Sequence, residues 1–182
     1  GTLTIADLVT LGDAVVARLD SRAPADLQPH AGDRSSPGMA ELQATLLRRV
    51  RPRGKCALTY ALTLMRPRVR SAMESRARLM FAMAGFPEPE VNAPVVDHAG
   101  EWLGEGDLVW RQERVVGAYQ GRHHADITRR ASDARRLELF RDHGWHVREI
   151  FAGDVYDGPK RRLLLVRFAH MLQVDPNTLL ID

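Results

Sequence analysis

Three strand-like runs, Val91–Asp97, Glu101–Trp110 and Arg114–Tyr119, follow one another with only His98-Ala-Gly100 and Arg111-Gln-Glu113 between them. Turns that short leave no length for a crossover, so consecutive runs pair antiparallel and the rest of the chain has to be arranged around that ribbon. A helix leads into it. Ser71-Ala-Met-Glu74 has the Ser-x-x-Glu spacing of a capping box and opens a helical segment to about Ala84, closed by Gly85 and Pro87. After the ribbon, a polar helical pattern over about 126–142 ends at Gly144, Trp145–Phe151 reads as another strand, and about 159–173 reads as a closing amphipathic helix. The order α-β-β-β-α-β, then α, predicts an α/β domain with a central mixed sheet flanked by helices.

Upstream, residues 3–20 read as a helix, with Leu8, Leu11, Val15 and Leu19 near helical spacing. Ser21 to Gly38 is rich in Pro, Gly, Ser and Asp and reads as a linker; helical segments at about 38–50 and 55–65 flank an Arg-Pro-Arg-Gly joint. The expected division is a helical lead-in over 1–68 and the α/β domain over 69–182. With 182 residues and 45% hydrophobic content, one ordinary domain with a small appendage can bury a real core. No apolar run approaches the roughly 20 residues of a membrane span, and no signal pattern opens the chain, so the expectation is a cytoplasmic protein with no membrane partner. Cys56 is the single cysteine, which rules out an internal disulfide and the common cysteine-rich zinc clusters; it reads as a small buried hydrophobe.

The net charge of +3 is mild, but the basic residues are grouped. Arg48, Arg49, Arg51, Arg53 and Lys55 form one group, Arg66, Arg68 and Arg70 alternate, and Arg122, Arg129, Arg130, Arg135 and Arg136 form a third. Such groups can neutralise phosphates without reading sequence, or can simply be a solvated arginine surface.

Strand alternation puts Ala118 and Gln120 on one face and Tyr119 on the other, and if Asp107 ends the neighbouring strand all three can converge on one spot. A two-carboxylate Mg²⁺ site there needs Asp107 plus an acid at 118, where this chain has a methyl group. Each residue also has a plainer reading. Asp107 after Gly104 and Gly106 can be a turn residue, Gln120 an exposed strand amide, Glu74 the closing member of the capping box, and His123 and His124 solvated side chains at a helix start. Trp102, Trp110 and Trp145 read as core or sheet-face packing, and Tyr119 as a structural strand residue.

Several phrases carry a resemblance: Ser71-Ala-Met-Glu-Ser-Arg76, Gly85-Phe-Pro-Glu-Pro-Glu-Val-Asn92, Gly106-Asp-Leu-Val-Trp110, Tyr119-Gln-Gly-Arg-His-His124 and Gly144-Trp-His-Val147. Over about Ser71 to Phe151 the chain resembles the PD-(D/E)XK nuclease superfamily, more closely the branch of very short patch repair (Vsr-like) endonucleases as found at the C-terminus of actinobacterial AbiEi-like proteins. The resemblance implies a restriction-endonuclease-like core, DNA as partner, Mg²⁺ or Mn²⁺ as cofactor, phosphodiester hydrolysis in repair or defence, and a DNA-binding segment upstream. Carried onto this sequence, it implies Asp107 as metal ligand, Glu74 as a carboxylate reaching the metal through water, Gln120 in the place usually held by Lys, and His124 as general acid or phosphate contact. It also implies phosphate contacts from Arg76, Arg122, His123, Arg129 and Arg130. Ala118 departs from the pattern, which has an acid before the tyrosine. Either the protein is naturally inactive or a working carboxylate has been replaced; the other reading is a non-catalytic DNA-binding or regulatory module of a toxin–antitoxin or phage-defence system.

Overall fold

The computed structural model describes residues 3–49, 53–121 and 127–181, with the side chains of 127–130 left aside. The chain forms two compact units, residues 1–79 and 80–182.

The first unit is helical: α1 (Ile5–Asp20), α2 (Pro37–Arg48), α3 (Lys55–Leu64) and the first turns of α4 (Ala72–Ala84). Thr4 and Asp7 start α1 with a reciprocal capping box, and Ser36 caps α2 ahead of Pro37, whose missing N–H costs nothing in a first turn. The linker between α1 and α2 carries only a single 3₁₀ turn, Ala25–Leu27. Val9, Ala61, Met65 and Leu79 form the core of this unit.

The face that α1 buries is Val9, Gly12, Asp13, Val16 and Asp20, which leaves Leu11 60% and Val15 38% exposed. The helix is turned so because both acids have partners inside. Asp13 accepts from the Arg66 N–H at 2.9 Å, the Ser75 hydroxyl at 2.8 Å and the Arg78 guanidinium at 3.2 Å, and Asp20 accepts from the Gly38 N–H at 2.8 Å. Cys56 is exposed rather than buried, while Ala61 is the residue α3 turns fully inward.

The second unit is built on a four-stranded sheet in the order β1 (Glu90–Val96), β2 (Trp102–Trp110), β3 (Val115–Gln120), β4 (His146–Phe151). The pairings β1–β2 and β2–β3 are antiparallel, as the short turns require, and β3–β4 is parallel. The parallel step needs a crossover, which α5 (Ile127–Asp142) provides. A short helix α6 (Ala152–Tyr156), not foreseen in the sequence, and α7 (Gly158–Met171) follow. Helices flank this mixed sheet, giving the α/β class and the α-β-β-β-α-β order read from the sequence.

Phe81, Trp110 and Phe168 make edge-to-face and tilted contacts at 4.6–5.4 Å between ring centres, which ties the end of α4, β2 and α7 into one core. Phe140 of α5 rests on Gly104, where a Cβ would lie 3.0 Å from its ring. Trp110 and Trp145 are buried with their indole N–H groups donated to the carbonyls of Pro87 and Val96. Trp102 is the exception to the packing expectation: it is 71% exposed, at the start of β2 beyond a register shift at Val95/Val96. Among the described residues no helix is long and apolar enough to cross a membrane.

Candidate functional site

The ladder between β2 and β3 runs Trp110↔Val115, Val109↔Val116, Leu108↔Gly117. One step further Asp107 would face Ala118, and there the ladder changes: the Asp107 carboxylate accepts the Tyr119 N–H at 2.7 Å. The side chain thereby takes over the end of the strand pairing and is anchored beside residue 118. Asp107 is half-buried, and Ala118 is 4% exposed.

On the other side of β3 the parallel register sets Ala118 against Glu149 and Gln120 against Phe151. Ala118, Gln120 and Glu149 therefore share a face. The Gln120 amide donates to the Glu149 carboxylate at 2.9 Å, which fixes which end of that amide is the nitrogen and leaves its oxygen to other partners. Glu149 is exposed. Sequence reading set Asp107 beside Ala118 and Gln120 and did not include Glu149. A carboxylate inside the Trp145–Phe151 run was visible, but its place depends on a register set across α5.

Glu74 belongs to the first unit. There its carboxylate accepts the Ser71 hydroxyl at 2.8 Å and the Arg70 N–H at 3.0 Å, while its own N–H is donated to the Ser71 oxygen at 3.2 Å. These bonds give Ser71 and Glu74 the mutual contacts of a helix cap, with the Arg70 N–H as the backbone donor to the carboxylate. Arg76 pairs with Asp7 at 2.6 Å. Hydrogen bonds from Thr4, and then the Arg76 contact, hold the Asp7 carboxyl below its ordinary pKa. Arg78 is buried against Asp13 and the Leu64 carbonyl, at 3.2 and 2.7 Å. Arg122, His123 and His124 lie outside the described residues, as do the side chains of Arg129 and Arg130 on α5.

Among the described residues, no three His, Cys, Asp or Glu side chains come together in a way that could hold a metal ion. At the strand ends the donor chemistry agrees: Asp107 is engaged with the Tyr119 amide, Glu149 with Gln120, and the position between them on β3 is a methyl group. A two-carboxylate Mg²⁺ centre on Asp107 and residue 118 does not fit this chain as it stands.

No family model and no solved structure matches the chain. It is similar to two uncharacterized proteins of Mycobacterium tuberculosis, MT2308 of strain CDC 1551 and Rv2248 of strain H37Rv, each 33% identical over 121 residues. The match covers 66% of this chain and 44% of each relative, so the chain spans less than half the length of the curated relatives it matches.

Proposed function

We propose that the ends of β2, β3 and β4 carry the site of a metal-dependent DNA endonuclease disabled at position 118, and that this chain binds DNA without cutting it. The observation behind this reading is the anchoring of Asp107 on the Tyr119 N–H beside Ala118. An acidic side chain at 118 would stand between Asp107 and Glu149 in the strand order, and three neighbouring carboxylates repel one another unless a cation is shared among them. That donor set is the oxygen-rich kind Mg²⁺ and Mn²⁺ take. Gln120, held by Glu149, presents an amide suited to orienting water or a phosphate oxygen. The arginine groups supply sequence-blind attraction to the DNA backbone.

The test is cleavage of labelled single-stranded, duplex, mismatched and branched DNA, with Mg²⁺, Mn²⁺ or chelator, by this chain and by Ala118→Glu. Metal-dependent cutting by the Ala118→Glu form alone is the expected result, and the substrate cut identifies the DNA structure preferred. A second reading, a non-catalytic DNA-binding or regulatory module, draws on the same hydrogen bond, because an Asp107 that closes a strand ladder has work to do with no metal at all. Tight DNA binding with no cutting by either protein would select it.

A further inference from the structure

α1 is apolar on two sides. One side is the core face; the other, carrying Leu8, Leu11 and Val15, lines an open groove of about 330 Å³ whose opposite walls are Leu42 and Leu46 of α2 and Leu62 of α3. Its floor depends on Gly12, where a Cβ would fall 2.1 Å from the Met65 Cε, so Met65 can lie flat under the groove only because that residue has no side chain. Leu11 at 60% and Val15 at 38% exposure remain in water, although the same helix buries two aspartates.

The groove has a head and a tail. Its polar lining is Thr45 and Arg49, close together near the end of α2. The Thr45 hydroxyl accepts from the Arg48 guanidinium at 3.0 Å, and the Lys55 ammonium donates to the Arg49 carbonyl at 3.2 Å, so three cations gather at that end. No acidic side chain is among the described lining residues. The three cations outweigh the partial negative charge of the α2 C-terminus. A volume at the lower end of small-ligand pockets, an almost wholly apolar lining and a few polar groups at one end suit one amphiphile better than a partner helix, whose 10–12 Å diameter would leave most of it outside.

We propose that this groove binds a linear acyl carboxylate, with its chain along the leucines and its carboxylate at the Arg48–Arg49 end. The site stands apart from the strand-end site and does not depend on the nuclease reading.

The experiment is calorimetric titration of the full chain with dodecanoate below its micelle concentration, beside dodecylamine and dodecanol, with light scattering on the same samples. The expected result is one equivalent of dodecanoate bound, with dodecylamine and dodecanol each about tenfold weaker or worse, the loss expected when a charge-assisted hydrogen bond is removed. Arg49→Glu should weaken dodecanoate by a similar factor, and Leu11→Arg, on an exposed position that leaves the core intact, should abolish it. Equal binding of all three ligands, binding at several equivalents that neither variant changes, or no binding would each overturn the proposal. A dimer that Leu11→Arg dissociates would overturn it too, by assigning the groove to a second copy of the chain.

Discussion

The two units place their ionisable groups in opposite ways. In the first, Asp13 and Arg78 are each 1% exposed and meet in the interior, where Ser75, the Arg66 N–H and the Leu64 carbonyl add further hydrogen bonds. In the second, Asp107, Gln120 and Glu149 sit half-buried or exposed on adjacent strands where the β2–β3 ladder stops, holding backbone and one another without being enclosed. A closed pair has its charges turned on each other and away from solvent, and offers little to a ligand. Groups at strand ends keep lone pairs facing water, and a substrate or ion can compete for them. That difference separates charges that stabilise the fold from charges positioned for chemistry more reliably than residue type does.

Breaking the closed pair should have the largest effect. Asp13→Ala strands the Arg78 guanidinium and is expected to cost about 3–5 kcal/mol in denaturant unfolding followed by far-UV circular dichroism. Replacing both partners with apolar residues, Asp13→Leu with Arg78→Met, should recover most of that loss, since the penalty comes from the orphaned charge and not from the pair's own worth. A double variant as unstable as the single would mean that the network does more than neutralise itself.

The strand-end site should respond to added charge instead. Ala118→Glu brings a larger side chain and a third carboxylate to a position 4% exposed and register-paired with Glu149, and should lower stability by about 1–3 kcal/mol without divalent cation. Millimolar Mg²⁺ should restore much of it in Ala118→Glu and do nothing for the unmodified chain, read as the midpoint of thermal unfolding. Asp107→Ala is milder. It removes the acceptor for the Tyr119 N–H and should cost about 1 kcal/mol, and in the Ala118→Glu background it should also abolish the Mg²⁺ response.

The sequence disclosed local pattern well and long-range register poorly. The helix opened by Ser71, the three-strand ribbon and the crossover helix all follow from capping chemistry, turn length and periodicity within a dozen residues, and each is found where those signals put it. The shared face of Ala118 and Gln120 is likewise a consequence of alternation alone. Glu149 is different, because its partners lie 29 or more residues away and only the β3–β4 register brings it to them. The buried face of α1 is out of local reach for a related reason: hydrophobic spacing ranks Leu11 above Asp13, whereas Arg78, Ser75 and Arg66, distant in sequence, make Asp13 the better residue to bury.

The smallest test uses pH, and the two units should bend in opposite directions. In the β1–β2 turn, Asp97 accepts the N–H groups of Glu101 and Ala99, both at 2.8 Å, and these bonds hold its carboxyl below the ordinary pKa. A depressed carboxyl contributes stability above its unfolded value and loses it as pH falls through the folded one. The advantage of the unmodified chain over Asp97→Asn should therefore shrink on acidification. Tryptophan fluorescence can follow it, because Trp102, Trp110 and Trp145 all lie in the second unit. Asp13 is pushed the other way: burial raises its pKa against the pull of Arg78, so its folded form holds the proton more tightly than the unfolded chain does. Its contribution is fullest below the unfolded value and declines as pH rises through the raised one. The advantage over Asp13→Asn, followed by circular dichroism, should grow as pH falls. Two curves of the same slope would mean that the Arg78 charge outweighs burial at Asp13, and the contrast between an enclosed and an open carboxylate would then have to be drawn from geometry alone.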